Sequence, residues 1–229
     1  MSEPEAPTKD GYVFEGWFTD KDCTKAYDFE SVVTKHMILY ARWTWANPFV
    51  DMDESDWFYD NVRYAYENGL FDGISETRFA PNVAISRAML VTVLYRAAGE
   101  PAVDQEVPFV DLETGSYYVN AVIWAYQHGI VDGVSETRFD PDANLTREQL
   151  AAILQRYAAY LGEETSETGD LTQFTDAAQI SDWAVENVSW AVGVGLLDGK
   201  GHGILDPQGD TTRAEAAAVL QRFLERGND

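Results

Sequence analysis

The sequence predicts a mainly α-helical protein: three helix-loop-helix repeats preceded by a small β-rich module. Three observations carry that prediction. A 60-residue shift places FVDM (49–52) on FVDL (109–112), FDGISETRFAP (71–81) on VDGVSETRFDP (131–141), and ISR (85–87) on LTR (145–147). A third copy follows, in which Phe174-Thr175-Asp176, Leu197-Asp198-Gly199, Leu205-Asp206-Pro207 and Thr211-Thr212-Arg213 repeat the same blocks. Its offset grows from 65 to 66 residues, so it carries one inserted residue. Within each copy the apolar residues recur at three- and four-residue steps, the period of a helix face. Residues 1–47 lack that period and are rich in aromatic and β-branched residues, which favours strands. The resulting segments are 1–47, 48–103, 104–166 and 167–229.

In the first segment, Tyr12, Phe14, Trp17 and Phe18 flank Gly16. A polar turn containing DKDCTK leads to Phe29, Val32 and Val33, and then to Ile38-Leu39-Tyr40-Ala41-Arg42-Trp43. A module of about 45 residues is marginal alone, since slightly larger domains bury only about 60% of their unfolded surface. The first helix of the second repeat is marked by Tyr118, Val122, Ala125 and Tyr126, with Gly129 as the C-terminal stop. Val62, Ala65, Tyr66 and Gly69 mark the first repeat, and Val188, Ala191, Val192 and Gly195 the third. Each loop carries an Asp-Gly pair and a proline, as in Asp132-Gly133 with Pro141, which are turn signals. The second helices start after Ser86, Thr146 and Thr212. Gln149 and Glu215, three positions beyond the last two, complete capping boxes. Stripes such as Leu90, Val93, Leu94 and Ala97, and Trp124 and Trp190 in mid-helix, read as core. Two helices cannot bury such a stripe alone, so the three second helices are expected to pack around one pseudo-threefold axis.

Composition excludes several classes of function. The 229 residues include 39 acidic and 16 basic side chains, a formal charge of −23. Binding to nucleic acid needs clustered Lys and Arg to release counterions, and docking on anionic lipid faces the same repulsion. No run approaches the roughly 20 apolar residues of a membrane span. Cys23 is the only cysteine, so neither an internal disulfide nor a cysteine zinc site arises. Met1 leads straight into a polar stretch with no signal-peptide core, which marks either a cytosolic chain or the boundary of a longer one.

The three repeats resemble the S-layer homology (SLH) modules of bacterial surface proteins. The resemblance rests on the Phe-x-Asp start, the aromatic near Trp57, the Gly-x-x-Asp-Gly loop, the Phe-x-Pro segment and the Thr-Arg-Ala-Glu helix start. That last motif is intact as Thr212-Arg213-Ala214-Glu215 and varies to Thr146-Arg147-Glu148-Gln149 and Ser86-Arg87-Ala88-Met89. The N-terminal segment is similar to the C-terminal part of an internalin-type B repeat (Listeria-Bacteroides repeat), through PTKDGYVFEGWFTD (7–20), AYDF (26–29) and LYARW (39–43). With its first half absent, the chain reads as a piece of a larger protein. The resemblance implies a pseudo-threefold spindle with a central three-helix bundle, monomeric, at the cell surface. It also implies non-covalent anchoring to the cell wall through a secondary wall polysaccharide, often one bearing a pyruvyl ketal, held in grooves between repeats. No cofactor, nucleic acid or membrane insertion is implied.

The charges point to an anion site independently. Between 48 and 229 there are 31 acidic and 11 basic residues, and eight of the eleven recur at equivalent positions. Arg87, Arg147 and Arg213 each follow an expected N-cap, where helix N–H donors and a guanidinium fork suit a carboxylate. The alternative is that they pair with Asp51, Asp111 or Asp176. Arg96, Arg156 and Arg222 lie nine residues on, about 180° around the helix, and read as complements to the helix C-terminus. Arg78 and Arg138 have no counterpart in the third repeat. Trp57, Tyr117 and Trp183, at the starts of the first helices, suit either stacking on a sugar or a hydrophobic staple. The expected carbohydrate-binding residues are therefore Arg87, Arg147, Arg213, Trp57, Tyr117 and Trp183, with Asp51, Asp111, Asp176, Gly73, Gly133 and Gly199 from the matching motifs.

On this reading Arg147→Ala and Arg213→Ala weaken wall binding without unfolding, because a first-turn side chain faces solvent or groove. Arg156→Ala is then a neutral control. The Arg87 groove should be weakest, since Met89 and Ala80 depart from the family. Two other classes compete with this reading. A glycan-active enzyme needs a carboxylate pair about 5–9.5 Å apart, yet no carboxylate stands in an apolar context, and His36, His128 and His202 lie in unrelated settings. The run Asp51-Met52-Asp53-Glu54-Ser55-Asp56 has alternating oxygen ligands for calcium but lacks the central Gly and distal Glu of an EF-hand. It reads better as a helix-capping loop.

Overall fold

The computed structural model describes residues 2–104 and 106–226. Met1 and 227–229, at the ends of the first and last expected segments, lie outside the described residues. The chain is mainly helical, with one small antiparallel sheet, and forms two compact bodies, Met1–Val50 and Asp51–Asp229.

In the first body, β1 (Tyr12–Phe18) pairs antiparallel with β2 (Tyr40–Trp45), from Tyr12 opposite Trp45 to Phe18 opposite Tyr40. The register slips at a bulge between Phe14 and Gly16. Gly16 there has φ +125°, a region that a side chain disfavours. Phe14 meets Trp17 and Trp43 edge to face, each at 5.4 Å between ring centres. The polar turn closes on Asp20, whose carboxylate accepts the Thr24 and Lys25 N–H groups. Residues 29–39, expected to contribute strand, stay irregular. Val32 and Ile38 are 85% and 69% exposed, because nothing in this body covers them and a strand forms only against a neighbour.

The second body holds six helices among the described residues: α1 (Tyr59–Glu67), α2 (Arg87–Ala97), α3 (Val119–Gln127), α4 (Arg147–Tyr160), α5 (Val185–Gly193) and α6 (Arg213–Arg226). The short first helices α1, α3 and α5 end alike. Gly69, Gly129 and Gly195 take positive φ and donate to Tyr66, Tyr126 and Val192. Leu70, Ile130 and Leu196, one residue on, donate to Ala65, Ala125 and Ala191. This is the paired-bond stop with its apolar follower, and those three followers are buried. The second helices start on the expected caps. Ser86, Thr146 and Thr212 accept the N–H groups of Met89, Gln149 and Glu215, and both capping boxes form.

The loops between helices are held by carboxylates. Asp51 accepts the N–H groups of Phe79 and Ala80, Asp111 those of Phe139 and Asp140, and Asp176 those of Leu205 and Asp206, at 2.7–2.9 Å. This grip accompanies the left-handed φ of Ala80, Asp140 and Asp206, 55–59°, which a non-glycine residue adopts only when held.

The helices pack between repeats, not within them: α2 on α3, α4 on α5, and α6 on α1. Each second helix thus covers the first helix of the next repeat, and the last returns to the first. Asn61 and Gln221 share a side-chain hydrogen bond across the closing pair, as do Asn187 and Gln155 across α4 and α5. Two of the second helices, α4 and α6, also meet through the stacked rings of Tyr157 and Phe223. A backbone ring joins the repeats at their helix starts: Ile85 N–H donates to Thr211, Thr211 to Leu145, and Leu145 back to Ile85, at 2.8–2.9 Å. Leu90, Leu94, Leu150, Leu154, Leu220 and Phe223 are all buried, as are Trp124 and Trp190. Each such side chain stabilises the fold by about 1.5–3 kcal/mol.

Candidate functional site

The second body carries three equivalent grooves, of about 360, 270 and 390 Å³. Each draws on all three repeats. The first joins Trp57 of repeat one, Arg147 of repeat two, and Gly199 and Arg222 of repeat three. The second joins Tyr117, Arg213, Gly73 and Arg96, and the third Trp183, Arg87, Gly133 and Arg156. Nine of the twelve residues singled out in the sequence therefore converge, three to a groove. Arg96, Arg156 and Arg222 join them, though the sequence argued them away from any such site. They do lie on the far side of their own helix from Arg87, Arg147 and Arg213. The groove is shared between repeats, however, so opposite ends of α2 serve two different grooves. Only the cyclic packing of the repeats reveals this.

The arginines that follow the N-caps are not free side chains. Arg87, Arg147 and Arg213 are 4–7% exposed. Their Nε groups donate to the carbonyls of Phe139, Leu205 and Phe79 at 3.1, 2.8 and 2.7 Å. Their Nη2 groups donate to those of Asp132, Asp198 and Asp72 at 2.9, 2.8 and 2.6 Å. All six acceptors belong to the next repeat in the cycle. Arg87 and Arg213 also lie over the rings of Phe139 and Phe79, at 4.7 and 4.5 Å. Burial pushes the pKa of all three guanidinium groups down, against the pull of nearby carboxylates, yet an arginine stays charged. Of the expected solvent or groove, the side chain faces the groove and is buried there: each guanidinium at once lines a groove and bolts two repeats together.

The expected helix-end donors are occupied too. The N–H groups of Arg87, Arg147 and Arg213 donate to Ala143, Gly209 and Val83, and those of Ala88, Glu148 and Ala214 to Pro141, Pro207 and Pro81. The third N–H of each helix is taken by its cap. An anion in these grooves meets side-chain cations, not helix N–H groups.

Asp51, Asp111 and Asp176 brace the loops behind the grooves. They do not pair with the buried arginines: Asp51 and Asp111 lie 3.7 and 3.6 Å from Arg78 and Arg138. Burial alone would raise their pKa values, but the two N–H donors on each carboxylate, with the nearby guanidinium, hold all three below the ordinary aspartate value. Gly133 and Gly199 are needed for space. A Cβ on Gly133 would stand 2.6 Å from the Arg138 carbonyl oxygen, and one on Gly199 2.8 Å from that of Ile204. Asp72, Asp132 and Asp198, beside the loop glycines, pair with Arg96, Arg156 and Arg222 at 2.8–3.0 Å.

Trp57, Tyr117 and Trp183 are 65%, 62% and 56% exposed. A buried staple is therefore not their arrangement; they stand exposed where they line the grooves. Met89, assigned from sequence to the Arg87 groove, lines the Arg213 groove. In the acidic run, Asp53 accepts the Ser55 N–H and Asp56 that of Asp53. Among the described residues, no group of three or more His, Cys, Asp or Glu is placed to hold a metal ion, and no helix is long and apolar enough to cross a membrane.

Interlocked helical pairs with a groove at each junction define a tandem-repeat module. The chain belongs to the S-layer homology domain family, whose model matches residues 48–88, 108–151 and 173–217, and residues 1–42 match the Listeria-Bacteroides repeat domain. The chain is 29% identical over 194 residues to the amylopullulanase of Thermoanaerobacterium thermosulfurigenes, covering 85% of this chain and 10% of that protein. It is 32% identical over 179 residues to an endoglucanase of Bacillus sp. (strain KSM-635), covering 78% and 19%. It is 32% identical over 167 residues to the surface-layer 125 kDa protein of Lysinibacillus sphaericus, covering 72% and 14%. The chain thus spans less than a fifth of the length of each. Family and relatives make this a cell-surface, cell-wall-associated protein.

Proposed function

We propose that this chain anchors a surface protein to the bacterial cell wall by binding a wall polysaccharide, one bearing a pyruvyl ketal, in the grooves between its repeats. The repeats, with boundaries at 48–103, 104–166 and 167–229, stand about a pseudo-threefold axis as a monomeric spindle with the second helices central. The observation that carries the reading is the threefold recurrence of one arrangement: an exposed aromatic wall beside a fixed guanidinium, with a second arginine across the groove. An aromatic face takes the C–H face of a pyranose, and the cations take a carboxylate. The cyclic packing of α2, α4 and α6 on α3, α5 and α1, and the ring through Ile85, Leu145 and Thr211, support the axis. The reading is a non-catalytic one. The groove aspartates are each paired with an arginine, an arrangement suited to holding a ligand.

Co-sedimentation with purified wall polysaccharide, before and after chemical removal of pyruvate, tests the proposal. Binding that falls at least tenfold on depyruvylation supports it. Undiminished binding refutes the pyruvate part, and no binding to any wall fraction refutes anchoring.

A further inference from the structure

The three groove aromatics are held in two different ways. Trp57 and Tyr117 are each followed by a buried ring, Phe58 and Tyr118, which they meet edge to face at 5.4 and 5.2 Å. Trp183 is followed by Ala184, which offers no ring. Its approach is also longer, with seven positions from Asp176 to Trp183 against six from Asp51 to Trp57 and from Asp111 to Tyr117. A longer approach without a packed ring leaves more conformational freedom to be removed. Another repeat removes it. Glu148, in the first turn of α4, is 5% exposed, and its two carboxylate oxygens accept the Ser181 N–H at 3.0 Å and the Ser181 hydroxyl at 2.8 Å. Ser181 immediately precedes the short 3-10 turn Asp182–Ala184, which carries Trp183 and packs on α4. Ala88 and Ala214 stand at the place of Glu148 in the other second helices, and Ser55 and Gly115 at the place of Ser181. Ser55 bonds within its own loop, to Asp53. A buried carboxylate is costly unless it is hydrogen-bonded, and this one directs both oxygens to the segment that presents Trp183.

We propose that Glu148 is a positioning residue for the Arg87 groove: by clamping Ser181 it fixes Trp183 before any ligand arrives, the part that Phe58 and Tyr118 play for the other two aromatics. Trp183 and Arg87 line that groove together with Gln149, Ala152 and Arg156 of α4. One helix therefore carries both the clamp and a wall of the groove. A wall ordered in advance binds more tightly, because the ligand does not have to immobilise it. The effect on binding rests on the reading of the grooves as glycan sites; the effect on Trp183 itself does not.

The test is NMR of the whole chain, free and titrated with oligosaccharide fragments of purified wall polysaccharide. In the free chain the Trp183 indole N–H should be as ordered as rigid backbone, with an order parameter of about 0.85, and should fall below about 0.6 in Glu148→Ala. Trp57 should not change. Fragment affinity read at Trp183 should fall about three- to tenfold in that variant, the cost of immobilising one side chain, with affinity read at Trp57 unaltered. Glu148→Gln should restore both, since an amide still accepts the Ser181 N–H and donates to its hydroxyl oxygen. Ser181→Ala, which removes one of the two bonds, should give a smaller loss of the same kind, and it decides the matter if Glu148→Ala does not fold natively. An ordered Trp183 in a natively folded Glu148→Ala, an equal loss at Trp57, an equal loss in Glu148→Gln, or unchanged affinity despite lost order would each overturn the proposal. So would an unaffected Trp183 in Ser181→Ala. The two ideas fail separately: fragments that move no indole signal of the wild type refute the glycan reading, and the order parameters still decide the role of Glu148.

Discussion

Arg213 sits in a first helical turn, where a long cation ordinarily reaches into water, yet it is buried with two donors on the carbonyls of Phe79 and Asp72. Replacing it with Ala removes the charged donors to two carbonyls of the first repeat and the bolt between the repeats. Arg213→Ala should therefore lower stability by about 2–4 kcal/mol in denaturant unfolding. Arg213→Lys should rescue little, since an ammonium cannot reproduce the planar fork. Trp183, more than half exposed, should behave in the opposite way. Trp183→Ala should change stability by no more than about 0.5 kcal/mol while weakening polysaccharide binding in calorimetric titration. Arg156→Ala, the neutral control of the sequence reading, should weaken binding as well, because Arg156 lines the groove that Trp183 walls.

At the scale of the element, two glycines of the second repeat separate conformation from space. Gly129 ends α3 at φ +67° with nothing within 4 Å of where a Cβ would stand, so Gly129→Ala should cost only the left-handed conformation, about 1 kcal/mol. Gly133→Ala should cost clearly more, because its Cβ would collide with loop carbonyls and the Phe109 ring. Thermal unfolding of the two variants side by side checks the order. The loop carboxylates set an acid limit. Asp51, Asp111 and Asp176 have folded pKa values below the ordinary 3.8, so their contribution is complete above that pH. It is lost as pH falls through the lower folded values. Unfolding midpoints should be flat from neutral pH to about 5 and drop below 3.8, and Asp111→Asn should flatten part of that drop.

For the whole second body, each second helix closes on the next repeat, so no repeat is complete without its neighbours. A chain ending at residue 166 leaves Arg147 without the Leu205 and Asp198 carbonyls and Leu145 without the Thr211 N–H group that it accepts. Such a fragment should lose its dispersed NMR spectrum and show no cooperative unfolding transition. Residual native-like signals from the first two repeats would show that the interlock is dispensable.

The repeats, the helix starts at Ser86, Thr146 and Thr212 and the glycine stops were legible in the sequence, because caps and stops act over three or four residues of one chain. So were the buried Trp124 and Trp190, through helical spacing. The identity of the groove residues was half legible: recurrence singled out the arginines, but not where they point. A first-turn arginine faces water on an isolated helix; here the loop of another repeat, up to 141 residues away, supplies two carbonyls that turn it inward. The same long-range closure brings Arg96 and Met89 into one groove with Arg213 and not with Arg87. Local order follows from short-range hydrogen bonding and period, while the grooves exist only between repeats, so their composition was decided by the tertiary structure.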